Sequence, residues 1–219
     1  MKIYAVEVNT MPFLPMLERL PFDIQIQINR FRKREDALKK LYSELMIRKL
    51  IKEMLCIKDE DINICKNLYG KPFLDGHPNF HYNISHSASF AICAIANSPI
   101  GIDIEQITKI DLDVATEYFT QQEINYIFNC PFSEQRNAFF ELWTLKESYI
   151  KQIGMGLSIN LNDFSMIKSN FEWQVVSDLY GTNLFFHQYN FMNQYEIAVC
   201  SETNNFPENI IFLHAEDFF

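Results

Sequence analysis

In the run Gly101-Ile102-Asp103-Ile104-Glu105-Gln106 two carboxylates alternate with isoleucines. Side chains on a strand alternate between faces, so Asp103 and Glu105 share one side while Ile102 and Ile104 share the other, where a core would take them. Neighbouring carboxylates repel each other. A bound hard cation removes that cost, and Mg²⁺ prefers oxygen ligands. The plainer alternative is the solvent-facing edge of a half-buried strand. A second run, FFELWTLKESYIKQIGMGLS, places Glu147 and Lys151 four residues apart, hence on one face of a helix. Alone they make an ordinary surface ion pair. Joined to Asp103 and Glu105, a third carboxylate would complete a metal shell and the lysine would neutralise phosphate charge. Gly154 and Gly156 let the chain turn tightly after that helix.

Two further segments carry polar groups at turns. In Asn83-Ile84-Ser85-His86-Ser87, a hydroxyl and an imidazole close a strand and can donate to phosphate oxygens. A hydrolase with Ser85 as nucleophile and His86 as base is disfavoured: adjacent strand residues face opposite ways, and no G-x-S-x-G elbow is present. Gly70-Lys71-Pro72 offers a lysine in a rigid turn, suited to an anion, although a turn lysine is usually just solvated.

The elements that must position these residues follow from periodicity. Strands are expected at 2–8, within MKIYAVEVNT, and over FHYNIS, FAICAIAN and IGIDIEQI; helices at 29–55, 111–128 and 133–152, the last capped by Ser133; and further strands over DFSMI, FEWQVV, NLFFHQY and YEIAVC, before an Asn-rich tail that ends in the apolar run IIFL. Residues 67–80 read as a loop rich in Gly, Pro, Asp and Asn. This order predicts an α+β protein in two halves, 1–100 and 101–219. The chain of 219 residues is 48% hydrophobic and 15% aromatic, enough for a sizeable core. Its net charge of −9 is uneven. Residues 1–100 hold 14 Lys and Arg against 11 Asp and Glu, and residues 101–219 hold 5 against 17. The front half therefore suits an anion and the back half a cation, while nucleic acid is a poor partner for so acidic a chain. Five scattered cysteines without a CxxC pair argue for a reducing compartment and against structural zinc. No apolar run approaches the ~18 residues of a membrane span, and no secretory signal is visible.

Taken together and in this order, Tyr69–Pro72, Asn83–Ser87, Gly101–Glu105, Trp143–Ser148, Lys151 and Gly154–Gly156 resemble the signature segments of the surfactin-type 4′-phosphopantetheinyl transferases. The resemblance runs over nearly the whole chain, from the MKIY opening to FPENI. It implies a cytoplasmic monomer of two similar α/β halves about a pseudo-twofold axis, with the active site between a basic and an acidic wall. It implies transfer of 4′-phosphopantetheine from coenzyme A to a serine of an apo acyl, peptidyl or aryl carrier protein. Asp103, Glu105 and Glu147 would hold Mg²⁺, and Lys151 would contact the pyrophosphate and assist departure of 3′,5′-ADP. Lys71, Ser85 and His86 would hold the coenzyme A phosphates and adenine-ribose end, with Lys39 or Lys40 near the 3′-phosphate. Glu147, or a metal-bound water held by Glu105, would take the serine proton. The stretch 111–123 would face the carrier, unless Phe119 and Ile124 belong to the core. One departure stands out: DIQIQIN, ahead of the long helix, lacks the lysines the family often carries there, and Arg30, Arg32 or Lys33 would have to compensate. A coenzyme A or carrier-binding module without activity, and a Mg²⁺-dependent pyrophosphate hydrolase, are the rival readings.

Overall fold

The computed structural model describes residues 1–8, 13–178 and 180–218, the side chain of Leu157 excepted. Residues 9 and 10 of the opening segment lie outside the described residues. In chain order the elements are β1 (Lys2–Glu7), α1 (Phe13–Leu17), α2 (Phe22–Asn29), α3 (Arg34–Leu55), β2 (Ile64–Lys66), β3 (Pro72–Leu74), β4 (His81–Ser87), β5 (Phe90–Ala96) and β6 (Ile100–Gln106). There follow α4 (Ala115–Tyr118), α5 (Gln121–Asn129), α6 (Gln135–Ile153), β7 (Ser165–Ser169), β8 (Glu172–Val176), β9 (Phe185–Phe191), β10 (Tyr195–Ser201) and β11 (Ile211–Leu213).

Two sheets pack face to face, each backed by one long helix. The first has the order β11-β1-β5-β4 and the second β6-β10-β9. Alternation along the strands explains the layering. In β5, Ala91, Cys93 and Ile95 join the core under α3, while Ile92, Ala94 and Ala96 face the second sheet. In β10, Ile197 and Val199 face the first sheet, and Ala198 and Cys200 pack under α6. β5 and the Ile197–Cys200 run of β10 are apolar on both sides because both of their faces are buried. Ile100, Ile102 and Ile104 of β6 enter the core between the sheets, which leaves Asp103 and Glu105 on the α6 side. The last strand, β11, comes from the end of the chain yet pairs in parallel with β1, and Ala215 and Phe218 join the α3 core.

Several elements differ from the sequence expectation. The expected helix 29–55 starts only at Arg34, after Lys33 in extended conformation (φ −97°, ψ 129°), and Asn29 instead ends the separate helix α2, which was not expected. Phe31, read as part of the apolar stripe, lies between the two helices and is exposed. The expected helix 111–128 also breaks, at Phe119 and Thr120, where Thr120 and Glu123 form a capping box that starts α5. The helix cap falls at Glu134 rather than Ser133. The loop between α3 and β4 contains the short hairpin β2–β3. All five cysteines are free thiols. Among the described residues no helix is long and apolar enough to cross a membrane.

Gly101 sets how close α6 lies to β6. A Cβ there would sit 1.9 Å from the Ser148 carbonyl oxygen and 2.4 Å from the Gln152 nitrogen, both backbone atoms that no rotamer change can move. Gly101→Ala is therefore expected to destabilise the protein by at least the ~1–3 kcal/mol typical of overpacking. Gly181→Ala, where a Cβ meets nothing within 4 Å, serves as the neutral control. Urea-unfolding midpoints of the two variants check this.

Candidate functional site

The site forms along the seam where edge strand β4 of one sheet meets edge strand β6 of the other. No backbone ladder joins these strands among the described residues. Side chains make the rungs instead. Asn83, Ser85 and Ser87 lie two apart and so point the same way. Asn83 Oδ1 accepts from the Ile102 N–H at 2.9 Å, Ser85 Oγ donates to Asp103 Oδ1 at 2.7 Å, and Ser87 Oγ donates to Glu105 Oε2 at 2.8 Å. Ser87 Oγ also accepts from the Gln106 N–H at 3.0 Å. Ser85 and Ser87 thus hold the carboxylates of β6, and Asn83 holds its backbone.

Lys151 of α6 joins the same group. Its Nζ donates to Asp103 Oδ1 at 2.6 Å and to Ser85 Oγ at 2.9 Å. The lysine therefore pairs across the fold with Asp103 rather than with Glu147 one turn back. Burial, reinforced by the Asp103 charge, pushes the Glu105 carboxyl up to about 7, against the lowering influence of Ser87 and Lys151. Glu147 is raised for the same reasons, burial first and Asp103 second. Asp103 is 3% exposed, and its Oδ2 is buried without a hydrogen-bond partner.

These features fit a cation. Among the described residues no three His, Cys, Asp or Glu side chains form a ready-made metal cage. Even so, Asp103 Oδ2 is an orphaned buried acceptor, and the Glu105 and Glu147 carboxyls are pushed toward their neutral forms by burial first and by the Asp103 charge second. An all-oxygen donor set of this kind suits a hard divalent ion.

The other expected site residues fall in two different places. His86 points away from Ser85, as strand geometry requires, and lines a cavity of about 940 Å³ with Lys40, Lys66, Gly70, Pro72 and Arg48. Burial, with Lys39 and Lys151 adding to it, holds His86 below its ordinary value, so it is uncharged at neutral pH. Lys40 borders the cavity but is paired with Glu44. Lys71 departs from expectation. Its Nζ donates to the carbonyls of Ile100 at 3.1 Å and Gln152 at 3.0 Å, so it clasps the start of β6 to the end of α6 instead of presenting its charge to an anion. Orphan carbonyls at a helix C-terminus attract a cation, which explains the choice. Asn67 completes the clasp by donating to the Gly154 carbonyl at 2.8 Å, and Gly154 takes the left-handed φ of 78° that ends α6. Ser85, expected to reach phosphate, is 7% exposed and held between Asp103 and Lys151.

Sequence reading missed Ser87, Asn67 and the fully buried Lys146. Lys146 Nζ donates to both Glu123 oxygens, at 2.6 and 2.8 Å, and to the Phe164 carbonyl, at 2.7 Å. It fastens α5 and the entry to β7 beneath α6. The T-x-x-E capping signal at Thr120 marked Glu123, but not its distant partner. Of the two apolar residues in question near the 111–123 stretch, Phe119 is core and Ile124 packs partly against it. Tyr118 stays exposed beside a hollow lined by Glu105, Ile110, Val114 and Trp143.

Comparison with known proteins places the chain in one group. The model of the 4′-phosphopantetheinyl transferase superfamily matches residues 99–200, and that of the 4′-phosphopantetheinyl transferase N-terminal region matches residues 9–98. The chain is 39% identical to 4′-phosphopantetheinyl transferase gsp of Aneurinibacillus migulanus over 76% of its length and 70% of that protein. It is 33% identical to 4′-phosphopantetheinyl transferase ffp of Bacillus subtilis over 99% of both chains. It is 35% identical to 4′-phosphopantetheinyl transferase Sfp of Bacillus subtilis strain 168 over 86% of its own length and 84% of the relative.

The raised Glu105 carboxyl makes a pH-dependent prediction for metal-free protein. Between its ordinary value near 4.5 and about 7, the folded state holds a proton that the unfolded chain has released. That contribution to stability is complete below 4.5 and is lost as pH rises through 7. In EDTA, Glu105→Gln should therefore raise the melting temperature relative to wild type at pH 8, with a gap that shrinks toward pH 5. A gap equal at both pH values would show that Glu105 is not held in a shielded place.

Proposed function

The chain belongs to the 4′-phosphopantetheinyl transferase superfamily, and from that premise we propose that it transfers the 4′-phosphopantetheine group of coenzyme A to a serine of an apo carrier protein, releasing 3′,5′-ADP. The observation that carries the reading is that Asp103, Glu105, Glu147 and Lys151, from β6 and α6, act on one another's charge along one seam, while His86 of the adjoining strand β4 lines a large cavity.

Asp103, Glu105 and Glu147 would hold Mg²⁺, which when bound spreads the negative charge of the coenzyme A pyrophosphate. Lys151 supplies a positive charge at the same place, aimed by Asp103 and Ser85. The carrier hydroxyl oxygen forms a bond to the phosphorus bearing pantetheine. The bond from that phosphorus to the oxygen bridging to ADP breaks, and the electron pair leaves with 3′,5′-ADP. Positioning and charge neutralisation do most of the work, as in other phosphoryl transfers. The hydroxyl proton would pass to Glu147 or to a water held by Glu105; burial raises both carboxyls, Glu105 to about 7, and a raised carboxylate is the stronger base. The cavity beside His86 and Lys40 would take the adenosine phosphate end of coenzyme A, with Lys39 nearby. Lys71 enters as a support for α6 and β6. The hollow beside Glu105 and Tyr118 would receive the carrier.

The test is to mix the protein with coenzyme A, Mg²⁺ and an apo carrier. The expected result is a mass gain of one phosphopantetheinyl group on the carrier serine. Free phosphopantetheine without carrier gain would make the protein a hydrolase, and neither product would make it a binder. In the same assay Lys151→Ala should lower kcat by ~10²-fold or more while coenzyme A binding changes less, because the charge it meets grows in the transition state. An unchanged kcat would reduce Lys151 to a structural ion pair.

A further inference from the structure

The three rungs of the seam are chemically unequal. Among the described residues Asn83 bonds to the backbone of β6 and to no carboxylate. Ser85 is shared between Asp103 and Lys151, so the lysine also restrains that carboxylate. Glu105 has no such second restraint: among the described residues its hydrogen bond comes from Ser87 alone, and it falls on Oε2. A serine hydroxyl carries one proton. Because the Gln106 N–H donates into Ser87 Oγ, that proton is directed to Glu105, and the backbone of β6 itself fixes the direction. One Glu105 oxygen is thereby tied to β4, and Oε1 is the oxygen left free. A lone glutamate on a strand edge has three side-chain torsions to settle, and ordering them costs free energy each time a ligand is bound.

We propose that Ser87 is a positioning residue that pre-orders Glu105 for a divalent cation, so that cation affinity at this seam depends on a hydroxyl that does not itself reach the ion. The inference rests on the metal reading given under Proposed function. Removing the hydrogen-bond partner of a ligating carboxylate typically weakens metal binding by about 10–100-fold, and that is the size of effect expected here. The neighbouring Asn83 provides an internal comparison: it bridges the same two strands but contacts no carboxylate.

The experiment titrates Mn²⁺ into the full chain by calorimetry, without coenzyme A or carrier, together with thermal melts. Mn²⁺ shares the preference of Mg²⁺ for oxygen ligands. Ser87→Ala should bind Mn²⁺ about 10–100-fold more weakly than wild type. Ser87→Thr, which keeps the hydroxyl, should bind within about threefold, whereas Ser87→Val, which has the shape of threonine without the hydroxyl, should match Ser87→Ala. This pair decides the matter even if the alanine variant folds poorly, since both residues suit a strand. Asn83→Ala should melt lower than wild type yet keep its Mn²⁺ affinity. Ser87→Val binding as tightly as Ser87→Thr would overturn the inference, and so would equal weakening in Ser87→Ala and Asn83→Ala. Absence of Mn²⁺ binding by wild type, or Asp103→Ala binding as well as wild type, would overturn the metal reading itself and the role of Ser87 with it.

Discussion

The carboxylate of Asp103 is the point on which the rest of the site depends. It lies on β6, accepts from Ser85 of β4 and from Lys151 of α6, and is 3% exposed. One acidic group thus ties an element of the first sheet, an element of the second and the long helix that covers the second. A charge so far from water is costly unless it is paired and hydrogen-bonded. Oδ1 has both kinds of partner, and Oδ2 has neither. The half-satisfied state of this carboxylate links the fold to its chemistry: Oδ2 is a buried acceptor still open to a donor or a cation.

Holding that arrangement requires α6 to be fixed along its length. Near Ser148 and Gln152, the absence of a side chain at Gly101 lets helix and strand backbones touch. At the carboxyl end, Lys71 and Asn67 tie Gln152 and Gly154 to the hairpin loop of the first half. Beneath the helix, Lys146 reaches Glu123, which also accepts from the Met166 N–H. Burial lowers Lys146 to about 8 despite the opposing pull of Glu123, so desolvation remains the larger influence on the lysine. Such pairs contribute little net stability but strongly disfavour any arrangement that separates the partners. Glu147 and Lys151 consequently project from a helix whose position is set on three sides.

The parts of this structure that were legible in the sequence are those governed by short-range periodicity. Period-2 alternation in the Gly101–Gln106 run was enough to put Asp103 and Glu105 on one face and the isoleucines in the core. The four-residue spacing of Glu147 and Lys151 was enough to place them on one face of α6. The same logic separated Ser85 from His86. What could not be read was the choice of long-range partner. Local spacing suggested Glu147 for Lys151, whereas the fold supplies Asp103, 48 positions away. Lys71 looked like a turn lysine suited to an anion, because nothing nearby announces that helix carbonyls 81 positions on will need a donor. The late start of α3 at Arg34 and the break at Thr120 were missed for a related reason: the apolar pattern runs across both, and only the T-x-x-E capping signal marked the second.

The most direct test of this account is a double-mutant cycle on Asp103 and Lys151, read as the single-turnover rate of phosphopantetheine transfer from coenzyme A to an apo carrier with Mg²⁺ saturating. If the carboxylate and the lysine act as one unit, Asp103→Asn and Lys151→Met will each slow transfer severely, and the double variant will be about as slow as the slower single variant. Rate losses that simply multiply would mean the two residues act independently, and that result would contradict the account.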